Sequence, residues 1–466
     1  MKVLLLNPPP YKKGPFVKEG RCQSRAGPEF WPPITLATIA SMLRDDHEIK
    51  LVDATVEDYK ESDIIKLYKD FSPDAVIYNS TTTTFYDDLH AAELAKDLKK
   101  GVVNIFFGTH VTALAKDSLK NKAIDIVIRG EPEVTSKEIL DSIAKKKNLK
   151  GIRGISYRSG KKIVSNPDRS FVENLDDLPY PAMDLLKNEL YKVPMRGGAF
   201  TIIRTSRGCP FKCIFCTSRL YYGNKWRTRT AKSVIDEIKE IKKLGIDNIF
   251  FNSDTFTFDR NFVLDLCGMI KEEELNIKWF CNSRVNTIDE EMAREMKSSG
   301  CWLISLGIES GNQKILNFVK KGIVLDQAKK TIRMLNKVGI ETIAYFIFGL
   351  PGETKETIDE TINFAKECNP TYARFYTAVP FPGTEFYEMK LKEGKIKSFD
   401  WSKYDQASCD IYEIEGLSPE DIVKAEKRAF MLFYFRPKYV LKSLKRPRSS
   451  FASAFSFFKE WVFSDE

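Results

Sequence analysis

Residues 201–216 read TIIRTSRGCPFKCIFC, an apolar strand pattern over 201–205 that runs into Cys209, Cys213 and Cys216 at a CxxxCxxC spacing. Three thiolates on one loop can hold three irons of a [4Fe-4S] cluster and leave the fourth iron open to a ligand. Structural zinc is the competing reading, and it needs four protein ligands. His47, His90 and His110 all lie far upstream of the loop, and no second cysteine pair stands near it.

Outward from that loop, the same strand-then-helix alternation repeats. Strands are expected over 201–205, 248–252, 278–282, 303–308, 342–348 and 373–379, with helical patterns over 233–243, 327–337 and 355–367. Six such units predict a partial (βα)6 TIM-type barrel over 196–394, open enough for a bulky substrate, with chemistry at the strand ends.

Upstream, short apolar runs over 3–6, 49–52, 75–78, 103–107 and 124–128 alternate with helical patterns over 34–43, 64–71 and 89–98. Buried parallel strands joined by helices give an α/β, doubly wound (Rossmann-like) domain over 1–150, which binds ligands at the carboxyl ends of its strands. Those ends carry Asn7 with Pro8 to Pro10, Ser80 with Thr81 to Thr84, Gly108 with Thr109 and His110, and Arg129 to Glu131. Small and hydroxyl residues suit a large flat ligand, although Thr81 to Thr84 also reads as a plain polar loop. No GxGxxG or GxxxxGK[ST] string is present, so nothing supports a nucleotide phosphate loop. A connector with a small hairpin is expected over 151–195 and a mostly helical region over 395–466.

The composition fits an enzyme of several domains. With 466 residues, 43% apolar and 29% charged, the chain has ample core and is not a disordered type. Its formal charge of +9 is too diffuse to argue nucleic-acid binding, and none is expected. The longest wholly apolar run, 429–435, falls far short of the roughly 20 residues that span a bilayer. No secretory pattern opens the chain, and nine cysteines point to thiols and not to a disulfide framework, so a cytoplasmic location is expected. Cys267, Cys281, Cys301 and Cys368 have no ligand spacing and read as buried thiols; Cys22 and Cys409 are isolated.

The CxxxCxxC loop, its place after the first barrel strand and Phe215 before the last cysteine resemble the radical S-adenosylmethionine superfamily. The resemblance implies that the open iron chelates the amino and carboxylate groups of S-adenosylmethionine. An external donor of flavodoxin or ferredoxin type then supplies an electron, giving a 5′-deoxyadenosyl radical that takes hydrogen from an unactivated carbon. It further implies that Asp254, after Asn252 and Ser253, accepts from the methionyl ammonium, although the string departs from the family's GGE. Arg284 would pair the methionyl carboxylate, a surface ion pair being its alternative. Glu309 would hold ribose hydroxyls. Gly349 opens an adenine-side turn, Gly349 to Glu353, whose glycines also read as ordinary turn residues.

One branch of that superfamily carries an N-terminal cobalamin (B12)-binding domain of this doubly wound type. Its DxHxxG motif is replaced here by Asn7 to Pro10, which implies cobalamin without a lower histidine ligand. Ser80, Thr81, Gly108, Thr109 and His110 match the remaining cobalamin contacts in position, Thr109 standing for the usual second glycine. His110 either contacts the corrin or caps the following helix.

Within the branch, residues 24–32, 254–257, 309–313 and 433–437 look most like the hopanoid-biosynthesis members, which act on a polyol headgroup of a lipid. That implies methylation or rearrangement of a carbon skeleton on a small-molecule or lipid substrate. A methylthiotransferase is the nearest rival, but its group carries a cysteine-rich N-terminal domain, and residues 1–150 hold only Cys22. A non-enzymatic iron-sulfur or zinc protein binding nucleic acid through its basic tail would leave both strand-end constellations unexplained. That tail has no acidic residue over 428–458 and interleaves basic residues with Phe430, Phe433, Phe435, Tyr439, Phe451, Phe455 and Phe458. It suits peripheral contact with the inner membrane surface, unless the aromatics pack against the barrel.

Overall fold

The computed structural model describes residues 1–11, 17–19, 30–193, 196–406 and 410–443. Its first sheet contains β1 (Lys2–Asn7), β2 (Glu48–Asp53), β3 (Ala75–Asn79), β4 (Val103–Phe107), β5 (Ile126–Ile128), β6 (Ile155–Ser159) and β7 (Lys162–Ser165), in the order β2-β1-β3-β4-β5-β6-β7. The first five strands are parallel in the 2-1-3-4-5 order of flavodoxin-like folds, whose ligands sit where the order reverses, beyond the carboxyl ends of β1 and β3. Continuous burial of β1 and β3 to β5 explains their near-uniform apolar sequences, since helices cover both faces. The hairpin expected in the connector pairs antiparallel with β5 and so extends this sheet.

A short ribbon pairs β9 (Ser206–Arg207) with β10 (Arg227–Thr228). The second sheet holds β8 (Phe200–Ile203), β11 (Asn248–Phe251), β12 (Lys278–Ser283), β13 (Cys301–Glu309), β14 (Glu341–Phe348) and β15 (Tyr372–Thr377), all parallel and in sequence order. That is the six-stranded open barrel. Four of its helices begin on a side-chain cap: Thr230, Asp259, Asp289 and Thr354 each accept from a backbone N–H three residues on. Each such cap contributes about 1 kcal/mol and fixes where the strand-end loop stops.

Period-two alternation divides the barrel strands between two cores. Ile249, Phe251, Trp279, Cys281, Ile304 and Leu306 pack under the outer helices. Phe250, Phe280 and Leu303 belong instead to a core shared with Ile34, Leu36, Ala37 and Ile39 of the first domain. Trp31 meets Phe250 at 5.0 Å between ring centres. The two domains therefore share one apolar interior. The expected buried thiols lie in the barrel wall, and burial pushes Cys267 and Cys368 up to about 12.

The C-terminal helix Pro419–Tyr434 starts on a Ser418 capping box and buries Ile422, Ala425, Ala429 and Phe433. Here the tail expectation is corrected for two aromatics. Phe433 is fully buried in the barrel core, and Tyr439 packs beside it with its hydroxyl donating to the Thr371 carbonyl at 3.1 Å. Arg436 lies 4.2 Å above the Phe433 ring and donates to the Lys366 carbonyl, so it too is spent on the barrel. Phe451, Phe455 and Phe458, like Cys22 and Cys409, lie outside the described residues. Among those that are described, no helix is long and apolar enough to cross a membrane.

Candidate active site

The cysteine loop is closed at its base. Gly208 has φ +84°, and a Cβ there would stand 2.2 Å from the Lys225 carbonyl oxygen, so only glycine lets the loop shut. Cys209 N–H donates to Gly223 and Cys216 N–H to Cys213, each at 3.3 Å. Buried Ile214 anchors the middle, donating to Val319 at 3.2 Å and accepting from Phe386 at 3.0 Å. All three cysteines are partly exposed and outside any disulfide. Among the described residues no three His, Cys, Asp or Glu side chains converge on a single ion. A cubane asks for thiolates at separate corners, and this loop offers that donor set.

Arg284 leaves the end of β12 and lies 3.6 Å above the Phe211 ring, with Nη1 3.9 Å from Cys213 Sγ. It is buried, not a surface residue, and it donates to the Lys321 carbonyl and, at 3.2 Å, to Asn286 Oδ1. Glu309 ends β13 at φ +76°, a backbone state that costs a non-glycine residue about 1–3 kcal/mol and marks sites where geometry is imposed. Its Oε1 accepts from Lys321 Nζ at 2.6 Å, both side chains being buried. Lys321, which no motif signals, thus ties Arg284 to Glu309. Asp254 accepts from the Ser218 hydroxyl, two residues past Cys216, and joins the second strand end to the cysteine loop.

Gly349 stands apart from these. Its N–H donates to Glu353 of the same turn, its carbonyl accepts from Tyr412, and Ile414 lies against it, so both of its polar groups are taken within the protein. Glu353 is buried with Oε1 unpartnered, and burial pushes its carboxyl up to about 8.

At the first sheet, Ser80 and Thr81 to Thr84 are all buried. Thr81 Oγ1 meets Thr84 Oγ1 at 3.0 Å, and Thr84 Oγ1 donates to Asp88 at 2.8 Å. Asp88 in turn holds Lys18 at 2.5 Å. Gly108 has φ +119°, with its Cβ position 2.3 Å from the Ser80 carbonyl oxygen. Thr109 Oγ1 and His110 Nδ1 are buried with no hydrogen-bond partner among the described residues. His110 does not cap the helix Thr109–Ala113. Its ring sits between Phe85, at 4.3 Å, and Trp401, at 5.2 Å, and burial pulls its pKa down to about 3, which keeps the imidazole neutral.

Asn7 at the end of β1 donates to Asp53 at 2.6 Å, and Asp53 also accepts from Tyr191 at 2.8 Å. Of the other histidines, His47 precedes β2 and so lies at the amino-terminal end of the strands, and His90 is paired with Glu61 at 2.8 Å. Helix Ser218–Tyr222, which follows the cysteine loop, packs on helix Thr109–Ala113. Gly383 fills the seam, its Cβ position 2.7 Å from Leu220 Cδ2 and 3.1 Å from Ala113 Cβ.

Residues 203–365 match the radical SAM superfamily and residues 26–140 the B12 binding domain. An uncharacterised methyltransferase of Pyrococcus horikoshii is 37% identical over 95% of both chains. The chain belongs to the cobalamin-binding radical S-adenosylmethionine family. An anaerobic magnesium-protoporphyrin IX monomethyl ester cyclase of Rubrivivax gelatinosus is 29% identical over 80% of this chain and 68% of its own. The hopanoid C-3 methylase of Methylococcus capsulatus is 24% identical over 78% and 69%. In fold, the chain is similar to the cobalamin-dependent S-adenosylmethionine radical enzyme OxsB, with TM-score 0.75 and 17% identity, over 99% of this chain and 71% of that one.

The cofactors of this family member are a [4Fe-4S] cluster, S-adenosylmethionine and cobalamin. The residues present fit them: three partly exposed thiols beside a guanidinium, and buried hydroxyls and a close glycine at the ends of β3 and β4. The sequence does not reveal Lys321, Ser218 or Trp401. Ser218 adjoins the cysteine motif, whereas Trp401 comes from beyond both family matches and is placed only by tertiary packing.

Proposed function

We propose that this enzyme methylates an unactivated carbon of a small molecule held between its two domains. The observation that carries the reading is the packing of helix Thr109–Ala113 on helix Ser218–Tyr222, which sets the two ligand ends face to face. When bound, cobalamin supplies a methyl carrier, and the cluster with S-adenosylmethionine supplies one-electron chemistry. Cys209, Cys213 and Cys216 hold the cluster, Arg284 takes the methionyl carboxylate and Asp254 the ammonium. Glu309, oriented by Lys321, takes the ribose, and the turn at Gly349 backs the adenine. Ser80, Thr81, Gly108, Thr109 and His110 line the corrin. The aromatic interior shared by the domains excludes water from a reactive site. An external donor of flavodoxin or ferredoxin type reduces the cluster. Methyl transfer is favoured over cyclisation by the relative at 37% identity. In anaerobic incubations with methyl-deuterated S-adenosylmethionine and a cell extract, mass spectrometry should find a product carrying an intact CD3 group. 5′-Deoxyadenosine formed with a product that lacks the label would overturn methylation in favour of rearrangement.

A lipid substrate is the finer reading. Met431, Leu432, Phe435 and Leu441 are 43%, 44%, 51% and 65% exposed near the end of the described chain. The sequence beyond them is basic and aromatic, and each Lys or Arg near an anionic surface adds about 1 kcal/mol of attraction. The full-length protein should co-sediment with phosphatidylserine vesicles at low salt and lose this when residues 444–466 are deleted, a cut that spares Phe433 and Tyr439 in the barrel core. Binding that survives the deletion, or no binding at all, counts against it.

A further inference from the structure

The cysteine loop is bolted to the first domain by four buried charges. Arg207, two residues before Cys209, and Arg227 face each other across the β9–β10 ribbon that closes the loop. Glu131 comes from the turn after β5, and Glu133 opens the helix Glu133–Ala144. Arg207 makes a two-point contact with Glu133, Nη2 to Oε1 at 2.6 Å and Nη1 to Oε2 at 3.2 Å. Arg227 makes another with Glu131, at 2.8 and 3.2 Å, and Arg207 reaches Glu131 at 3.4 Å. No side chain of the four is more than 6% exposed. Val172 N–H donates to Glu131 at 2.8 Å and Arg227 donates to the Tyr222 carbonyl at 2.8 Å, while Arg227 Nε has no partner among the described residues.

Buried ion pairs are poor sources of stability, because desolvation offsets their attraction, but planar two-point contacts hold one relative geometry. This one spans two domains and grips both ends of the loop. We propose that Glu131, Glu133, Arg207 and Arg227 are positioning residues that fix the separation and orientation of the cluster relative to cobalamin, without contacting either. The inference rests on the cofactor placement proposed above. A site that moves one carbon between two cofactors needs that spacing held within about 0.5 Å, and supporting residues supply it.

The test is pulsed dipolar EPR on holoenzyme reduced so that the cluster and the cobalt are both paramagnetic. Wild type should give a narrow distance distribution. Glu133→Gln, which leaves Arg207 only its longer contact to Glu131 and so lowers the thermal midpoint, should keep iron and cobalamin at assay temperature while widening that distribution about two-fold or shifting its centre. Arg227→Lys, which keeps charge but loses the two-point contact, should do the same. An unchanged distribution in a fully loaded variant overturns the proposal. So does loss of both cofactors in both variants, which would make the quartet a folding element. Should wild type itself bind no cluster or no cobalamin, the functional reading fails first.

Discussion

Cys213→Ala is expected to lose cluster iron and 5′-deoxyadenosine formation together. Removing an outer partner of a metal site typically costs about 10–100-fold, and removing a ligand should cost more than that. The loop leaves no substitute. Cys213 lies between Pro210 and Ile214 on a segment pinned by the Ile214 contacts to Val319 and Phe386, so it cannot be replaced by sliding the chain. The other cysteines of the barrel, Cys267, Cys281, Cys301 and Cys368, are all buried in its wall, and burial raises the thiol pKa of Cys267, Cys301 and Cys368. Iron assay and chromatography of S-adenosylmethionine cleavage products decide the matter. A Cys213→Ala protein with near-normal iron that still forms 5′-deoxyadenosine would refute the ligand assignment. Cys368→Ala, by contrast, should keep its iron.

Local signals carried most of what could be read. Buried parallel strands are continuous apolar runs, so β4 lies where its sequence pattern places it and most others shift by a residue or two. The run over 124–128 is shortened to Ile126–Ile128, because Ile124 packs into the core from the preceding turn. The cysteine loop is equally legible, since ligand spacing within one loop is a property of adjacent residues. Contacts between distant segments are not. Glu131 reads as a strand-end ligand contact, yet its carboxylate is taken by Arg227, Arg207 and the Val172 N–H. The hairpin over 155–165 is recognisable, but its pairing with β5 depends on the whole sheet. The tail shows the same limit. A basic, aromatic composition fits a membrane surface or a barrel surface equally well, and burial of Phe433 beside exposure of Phe435 divides the segment between the two.

Bound cob(II)alamin is expected to show no nitrogen superhyperfine splitting from a protein imidazole, and Gly108→Val is expected to abolish cobalamin retention. The histidines decide the first outcome. His47 lies at the wrong end of the sheet, and His90 is committed to Glu61 on a helix side. His110 is the one placed near the ligand end, but it is clasped between Phe85 and Trp401 and begins a short helix, not the loop after β1 where the missing motif would supply a ligand. That loop begins instead with Asn7, whose amide is turned to Asp53. The Gly108 substitution acts on the other side of the site. A Cβ at φ +119° would overlap the Ser80 carbonyl at 2.3 Å, and neither can yield without moving β3 away from β4. That separation would pull Ser80 and Thr81 off the ligand position together with Thr109 and His110, so the loss should be near complete, not graded. Absorbance of the protein after native purification with added hydroxocobalamin reads occupancy directly. Retained cobalamin in Gly108→Val would place the ligand elsewhere. Splitting from an imidazole in wild type, lost in His110→Ala, would show that His110 leaves its aromatic clasp to bind cobalt.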